Sequence, residues 1–282
     1  MKLITDNATL QRFIPNILQS VKGETALFDK IAVHLEIAEE WVRSTFTSDK
    51  TFNTIVGYTA DNPIRVLLCR LVVAEALRTA IPSLDLVFTP NGFAITQTSN
   101  LTPASKQRVD RLIGSMLTLR DDCIARLLPE LVGASQWLKS SQAQFFGSTL
   151  FPTLSVIDQF PIPGSQSPRS RWERYLELRP QIIDLEASLA EEFISPELLD
   201  ALHLRNLSNA LNPVDRPLVA QLQAQIVAVL RGGTINMRRM VECVNYIRQR
   251  PEDFPEWHSS ATAKLFTPPI FKNKKNSAGY FF

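Results

Sequence analysis

Cysteine is scarce in this sequence, and its spacing excludes the two kinds of structure that clustered cysteines usually build. The 282 residues contain three cysteines, Cys69, Cys123 and Cys243. They are far apart and include no C-x-x-C pair, so the sequence indicates neither a disulfide framework nor a zinc site. Cys69 and Cys123 lie in apolar helical stretches, where a thiol is expected to be a small buried hydrophobe.

Histidine and catalytic motifs are also scarce. His34, His203 and His258 are isolated, and none has a second histidine at metal-ligand spacing. The chain contains no G-x-S-x-G, P-loop, H-E-x-x-H or G-x-G-x-x-G motif. Adjacent carboxylates diverge by about 100° on a helix and are typical of solvated faces. Such pairs are Asp121–Asp122, Glu39–Glu40 and Glu191–Glu192. We therefore expect no enzyme, and no catalytic, metal-binding or cofactor-binding residues.

Excess charge and long uncharged apolar runs are absent too. The net charge is +2, which points to neither a nucleic acid nor a membrane as the main partner. The most apolar stretch, 64–81, contains Arg65, Arg70, Glu75 and Arg78, which would be costly in a bilayer. The first ten residues lack the apolar core of a signal peptide. A soluble protein made inside the cell is expected.

Periodic apolar residues fill most of the chain and predict a mainly α protein. We expect one or more helical bundles with a single β-hairpin between two long helices. The predicted organisation is an N-terminal helical domain over 1–145, a linker over 146–171, a C-terminal helical domain over 172–258 and an extended tail over 259–282. Four prolines, two glycines and several serines between 146 and 171 favour the linker.

Helix boundaries are marked by capping residues and prolines. Asn62 before Pro63 predicts the start of a central buried helix that runs to Ile81, and Asn212 before Pro213 predicts a later one. A helix interrupted by Pro15 is predicted near the beginning, and another over 25–45. The remaining predicted boundaries are a start at Thr102–Pro103, an end at Pro129 and Gly133, a cap at Ser195–Pro196, a stop at Gly232–Gly233 and an end at Pro251. A further helix is predicted to open at Tyr175 and to continue over 182–194 after Pro180.

A faint internal repeat accompanies these helices. The strings RFIP, AEEW and NPIRVLLCRL in the first half resemble RYLELRP, AEEF and NPVDRPLVAQL in the second. This alignment pairs Trp41 with Phe193. A true duplication into two similar helical halves and chance similarity among amphipathic helices are both compatible with the sequence.

The stretch 84–96, LDLVFTPNGFAIT, alternates apolar and polar residues on both sides of Pro90-Asn91-Gly92. Proline and Asn-Gly at a turn predict a β-hairpin. A lone hairpin is marginal in water, so it must pack on its own helices, pair with other strands or dock on a partner. Pro90, Asn91, Gly92 and Phe93 are therefore candidate partner-interface residues.

The last residues, FKNKKNSAGYFF, are the second unusual feature. They combine three lysines with a final run of three aromatic residues and contain no acidic side chain. We expect this segment either to fold back on its own core or to dock into a partner, with weak DNA contact by the lysines as a further possibility. The candidate interface residues are Lys272, Lys274, Lys275, Tyr280, Phe281 and Phe282.

The block EALRTAIPSLDLVFTPNGFAI, followed by LTPASKQRVDRLI, resembles an uncharacterised family of proteins from phages and prophages of Bacteroidales. STLFPT (148–153) and the aromatic end resemble it less closely. The resemblance implies a structural virion protein without catalytic residues. The order of helices is also similar to that of small head–tail connector (adaptor) proteins, although this chain is longer than a typical connector.

Two functions are therefore expected from different classes. The first is a structural, non-catalytic head–tail connector that assembles as a homo-oligomeric ring with phage portal and tail proteins, in the host cytoplasm and then in the virion. The second is a helical regulatory protein of a prophage that binds DNA or a host factor. Neither involves a membrane, and non-specific DNA contact is compatible with both.

Overall fold

The computed structural model describes residues 2–14, 25–84, 86–89, 92–95, 105–160 and 170–267, and over these ranges the chain is mainly helical, as predicted. The helices are α1 (Asn7–Gln11), α2 (Leu27–Val42), α3 (Asp49–Val56), α4 (Pro63–Ala80), α5 (Lys106–Val132), α6 (Ser141–Gly147), α7 (Arg171–Leu189), α8 (Pro196–Leu207), α9 (Asp215–Leu230), α10 (Met237–Arg248), α11 (Pro255–His258) and α12 (Ala261–Leu265). Short 3₁₀ turns lie at Ile81–Ser83, Trp137–Lys139 and Leu154–Gln159.

Two short strands lie between α4 and α5, namely β1 (Leu86–Thr89) and β2 (Gly92–Ile95). They pair antiparallel, with Leu86 opposite Ile95 and Thr89 opposite Gly92. Residues 90 and 91, where the sequence predicts the turn, lie outside the described residues, as do the side chains of both strands. Whether an edge of this pair docks on a partner stays a prediction.

The predicted start of α4 at Asn62 is confirmed, whereas α9 begins two residues later than Asn212–Pro213 predicts, with Val214 as its N-cap. Asn62 Oδ1 accepts hydrogen bonds from the first amides of α4, those of Ile64 at 3.1 Å and Arg65 at 3.4 Å. Asn212 Oδ1 accepts the amides of Val214 and Asp215 in the same way, at 2.8 and 2.7 Å. These bonds satisfy N–H groups that have no partner within the first helical turn.

Of the two residues expected to end α5, Gly133 is its C-cap, but Pro129 lies inside the helix, which runs to Val132. α7 runs through Pro180 to Leu189, so the helix continues after Pro180 as expected. A proline removes one backbone hydrogen bond, but apolar side chains are buried on both sides of each proline. Leu128 and Leu131 flank Pro129, and Ile182 follows Pro180. Packing therefore outweighs the missing bond. The predicted helix around Pro15 lies largely, and the predicted start at 102–103 entirely, outside the described residues.

The chain divides into two compact units. Unit 1 comprises residues 1–179 and 207–209, and unit 2 comprises 180–206 and 210–282. The division falls within α7 and does not coincide with the predicted linker at 146–171. In that stretch Phe146, Leu150 and Leu154 are fully buried, so the part up to residue 160 is core of unit 1. The first part of the predicted tail from 259 is not extended, because it contains α12 (Ala261–Leu265), which buries Ala263.

Unit 1 is built around α4, which packs against both α2 and α5. Leu68, Leu71, Val72, Val73 and Ala74 of α4 are completely buried, and together they face most sides of the helix, with Arg70 on an exposed side. This agrees with the predicted central position, because a helix that is apolar all round must be enclosed by other elements.

Each unit contains a bend of the same construction. α2 and α7 each run into a π-helical turn, Arg43–Thr47 in unit 1 and Ala190–Ile194 in unit 2. The next residue is a serine with positive φ, 67° at Ser48 and 74° at Ser195. Each serine amide donates to a carbonyl five residues back, and each serine Oγ caps the following helix. Positive φ is uncommon for serine, so this match is specific.

A tryptophan closes each bend. Trp137 Nε1 donates to the carbonyl oxygen of Phe46 at 2.6 Å, and Trp257 Nε1 donates to that of Phe193 at 2.8 Å. Phe46 and Phe193 occupy the same place in the two π turns. The structural counterpart of Phe193 is therefore Phe46. The sequence alignment, which pairs Phe193 with Trp41, is wrong by five residues.

The segments after the two tryptophans also match. Ser140 Oγ donates to the Trp137 carbonyl at 2.6 Å and caps α6 by accepting the Ala143 amide. Ser260 Oγ donates to the Trp257 carbonyl at 2.7 Å and caps α12 by accepting the Ala263 amide.

Buried positions recur at constant spacing within each pair of helices. In α2 and α7 the buried pairs are Leu35 and Ile182, Glu39 and Glu186, and Val42 and Leu189; in α4 and α9 they are Leu68 and Leu218, Val72 and Leu222, and Ala76 and Ile226; in α5 and α10 they are Cys123 and Cys243, Ile124 and Val244, and Leu127 and Ile247. The two units therefore share one arrangement of helices, bends and core residues.

Candidate interaction surface

The described structure gives no side-chain geometry for any of the interface residues that the sequence predicted. Pro90 and Asn91 lie outside the described residues, and Gly92 and Phe93 are described only as backbone of β2. The other candidates also lie outside the described residues, namely Lys272, Lys274, Lys275, Tyr280, Phe281 and Phe282. The geometry instead draws attention to residues on α2 and around its bend.

The outer face of α2 carries a strip of apolar side chains, Val33, Ile37 and Trp41, which we call the α2 strip. Residues four apart lie above one another on a helix, so the three are neighbours. Val33 is 65% exposed and Ile37 is 61% exposed. Single exposed apolar residues are ordinary, but adjacent ones on one face are typical of an interaction surface.

The strip leads into a groove of about 330 Å³. Trp41 and Leu176 form part of its lining, and Leu176 is 40% exposed. The other lining residues are Ser44, Thr45, Ser141, Gln142, Phe145 and Trp172. Apolar walls with a few hydroxyl and amide groups are typical of sites that accept an apolar anchor from a partner.

A cluster of aromatic rings lies beneath the groove. The Trp172 ring lies 5.0 Å from Phe46 and 6.1 Å from Phe146, measured between centroids. Trp41 meets Phe46 edge-on at 5.2 Å. Such contacts add to the stability gained by burying each ring, so the floor of the groove is rigid before any partner arrives.

The equivalent positions on α7 in unit 2 do not form an apolar strip. The counterparts of Val33, Ile37 and Trp41 are Pro180, Asp184 and Ser188, and those of Ser44 and Thr45 are Glu191 and Glu192. The shared arrangement of helices can therefore be built with polar residues at these positions. The fold does not require apolar residues there, so a separate reason for the α2 strip is needed.

The most concentrated group of charges is buried in unit 1. The Arg120 side chain is 3% exposed and pairs with Asp121 at 2.9 Å and with Glu75 at 3.3 Å. It also donates to Ser170 Oγ. Burial alone would raise the pKa of Glu75, but the hydrogen bonds and charges of Arg78 and Arg120 outweigh burial and lower that pKa. The cluster satisfies its own charges, which is typical of a structural network.

Two of the adjacent carboxylate pairs are not solvated faces as the sequence predicted. Asp121 and Glu39 are buried, while their neighbours Asp122 and Glu40 are exposed. Glu39 accepts the amide of Leu3 at 2.7 Å, and burial raises the pKa of its carboxyl group. Hydrogen bonds from buried donors stabilise these two carboxylates. The spacing of residues in the sequence does not reveal such contacts.

The histidines and cysteines have local partners or are enclosed. His34 Nδ1 lies 3.0 Å from Thr79 Oγ1, and His203 Nε2 lies 2.9 Å from Glu186 Oε2. All three cysteines are buried, and burial raises the pKa of each thiol to about 11. Within the described ranges, no group of three His, Cys, Asp or Glu side chains could hold a metal ion. No helix within these described ranges is both long enough and apolar enough to cross a bilayer.

The α2 strip was missed in the sequence, although a signal was present. α2 has a buried apolar face, Ile31, Leu35, Ala38 and Val42, and Val33, Ile37 and Trp41 form a second apolar row beside it. One apolar face is enough to attach a helix to its core. A second row on the same helix therefore indicates a further contact.

Comparison with known proteins gives one similarity. Residues 14–147 match the model of a family of unknown function, DUF6712. The matched range includes α2 to α6, and so the α2 strip and most of the groove. No curated protein and no solved structure matches the chain.

Proposed function

We propose that this protein is a structural, non-catalytic virion component that assembles with copies of itself, most specifically as a head–tail connector ring on a phage portal. The observation that carries self-assembly is the α2 strip with its adjoining groove. The connector assignment rests on the resemblance of the central block to phage structural proteins. A closed ring needs one surface patch to meet a different patch on the next copy, and the strip is such a patch.

The second part of the proposal is that the chain contains two copies of one helical module. The supporting observations are the two π turns, the two positive-φ serines and the two tryptophan–carbonyl bonds. A duplication explains why the chain is longer than a typical connector. It also assigns the strands β1 and β2 to an insertion, because the first module has them between α4 and α5 where the second has only residues 231–236.

The strands supply the second surface of the proposed ring. A two-stranded pair has unpaired backbone groups along its outer edges. Such an edge can extend into a sheet with a strand of a neighbouring subunit, and main-chain hydrogen bonds then provide affinity. We propose that the β1–β2 hairpin makes this contact while the α2 strip contributes apolar burial.

The experiment is light scattering after size-exclusion chromatography, on the chain alone and mixed with the cognate portal. The wild type is expected to form a discrete oligomer, or to join the portal as one. Ile37→Asp places a charge on the strip and is expected to weaken this assembly at least about tenfold, since burying an unpaired charge is costly.

Leu204→Asp is the matched control. Leu204 is 67% exposed on α8 of unit 2 and is not part of the α2 strip, so its replacement should leave assembly intact. Equal effects of the two variants would contradict the assignment of the strip. A wild-type chain that stays monomeric with and without portal would contradict the connector function, and salt-dependent DNA binding by that monomer would favour the regulatory alternative.

A further inference from the structure

The two modules differ in what covers their aromatic clusters. In unit 1, Trp172 covers both Phe46 and Phe146, and the latter are completely buried. Trp172 belongs to the chain that follows α6 and returns over the cluster. In unit 1, therefore, the residues after the last helix of the module close its aromatic face.

The corresponding face of unit 2 is open. Phe193 and Phe266 are the counterparts of Phe46 and Phe146, and their ring centroids lie 6.4 Å apart. Phe266 is only partly buried, and Leu265, the counterpart of Phe145, is 72% exposed. We call Leu265 and Phe266, which lie at the surface beside the buried Phe193, the open face.

Acidic residues flank the open face. Ser44 and Thr45 line the groove in unit 1, and their counterparts Glu191 and Glu192 are both exposed. A matching hydrogen bond fixes the position of this turn beside the last helix. Gln142 donates to the Ser44 carbonyl at 2.8 Å in unit 1, and the equivalent Thr262 donates to the Glu191 carbonyl at 3.5 Å in unit 2.

The sequence that follows α12 has the complementary composition. Residues 268–282 contain three lysines, no acidic side chain, and the aromatic run Tyr280-Phe281-Phe282. An extended chain spans about 3.3–3.6 Å per residue, so this segment is long enough to return to Leu265 and Phe266. Because it is tethered beside the face, its effective concentration there is high.

We propose that the open face of unit 2 is the docking site of the chain's own segment 268–282. The aromatic run takes, on the second module, the place that Trp172 takes on the first. The lysines lie against Glu191 and Glu192. This proposal rests on the duplication and does not require a ring, so it can hold or fail independently of the connector function.

Paired cysteines in the full-length chain test the contact. Leu265→Cys with Phe281→Cys should form a disulfide within one chain under mild oxidation, seen as a faster-migrating monomer on a non-reducing gel. The three native thiols are buried, with pKa values raised to about 11, so they should stay out of the exchange. Leu204→Cys with Phe281→Cys is the control, and it is expected to close at least about tenfold more slowly.

Three results would overturn the proposal. Equal rates for the two cysteine pairs would show that the segment has no preferred site. Disulfides between chains would show that the segment docks on a neighbouring copy. No disulfide at all would place the segment elsewhere.

The acidic flank has its own test in the Leu265→Cys and Phe281→Cys background. Replacing Glu191 and Glu192 together by lysine should slow closure several-fold at low salt, and added salt should reduce that difference. Glu197→Lys, at an exposed position of α8, is the control and should leave the rate unchanged. A flank variant that closes as fast as this control would overturn the contact between the lysines and the acidic residues.

Discussion

The two units share a framework but place charge differently in it. In unit 1 the core contains Arg120 and Glu75, and the counterparts in unit 2 are the buried Met240 and Gln225. On the surface the relation is reversed, since the α2 strip of unit 1 is apolar and its counterpart in unit 2 is polar. The shared tryptophan bonds, serine caps and aliphatic rows therefore define the module, and the exchanged positions are where each copy is specialised.

The largest expected effect comes from replacing Arg120 by its counterpart residue. Arg120→Met leaves Asp121 and Glu75 buried without their shared cation, which should lower the free energy of unfolding by about 3–5 kcal/mol. Urea denaturation followed by tryptophan fluorescence measures this. Adding Asp121→Asn and Glu75→Gln removes the unpaired charges and should recover more than half of the loss. A single variant as stable as wild type would contradict the role of the network.

Acid should weaken the same network. Because the pKa of Glu75 is lower in the folded chain than its ordinary value of 4.5, the carboxylate stabilises the fold above about pH 4.5. That contribution is lost as the pH falls below 4.5 through the folded pKa. Wild type should therefore lose more stability between pH 5 and about pH 3 than Glu75→Gln. Parallel pH profiles would contradict the expectation.

Removing the two tryptophan–carbonyl hydrogen bonds tests whether the two modules are equivalent. Trp137→Phe and Trp257→Phe each keep an aromatic ring but leave a buried carbonyl, of Phe46 or Phe193, without its donor. Each should cost about 1–3 kcal/mol. Equilibrium unfolding of both variants checks whether the losses are alike. A large loss at one tryptophan and none at the other would break the comparison between the modules.

Removing the serine caps should lower the free energy of unfolding by smaller amounts, which differ between the two modules. Ser195 is completely buried and accepts the Leu198 amide at 3.2 Å, while Ser48 is partly exposed and accepts the Thr51 amide at 3.5 Å. Ser195→Ala should cost about 1 kcal/mol, and Ser48→Ala should cost less. Thermal unfolding reports the order. Glycine at either position relieves the strain of positive φ and should offset part of the lost cap, so it serves as the control.

The smallest expected effect concerns Glu39, the buried glutamate of α2. Burial raises the pKa of Glu39, so its folded pKa lies above 4.5 and its stabilising contribution is lost as the pH rises through that value. Glu39→Gln should therefore gain stability relative to wild type as the pH rises from about 4.5 towards 7, by at most about 1 kcal/mol. Urea denaturation of both chains at a series of pH values measures this. A stability difference that stays constant over this pH range would contradict the expectation.

The sequence revealed the helices because their signals are local. Asn62 caps α4 as predicted, and the mainly apolar circumference of α4 correctly indicated a central helix. The repeat was visible but misaligned, since AEEW and AEEF attracted the pairing of Trp41 with Phe193. The true counterpart, Phe46, is defined by a hydrogen bond from a tryptophan far along the chain, and no local pattern encodes that contact.

The candidate interaction residues also fall into two groups, those chosen from local sequence signals and those recognised only from the tertiary structure. The hairpin and the lysine and aromatic segment were chosen from composition, and their roles remain predictions. The α2 strip was recognised only from the structure, in which Val33 and Ile37 are exposed while Ile31 and Leu35 of the same helix are buried. Similarly, Asp121 looked like half of a solvated pair until Arg120 and Ser170 were found around it.

The sequence by itself determined the helical class, the capped helix starts and the scarcity of catalytic motifs, because these depend on residue types and on spacing within a few turns. Only the tertiary structure decided which of the apolar rows of α2 is covered, which carboxylates are buried, and where one module matches the other. Those properties depend on contacts between residues that are distant in the chain, and burial sets both the value of an apolar side chain and the pKa of a charged one.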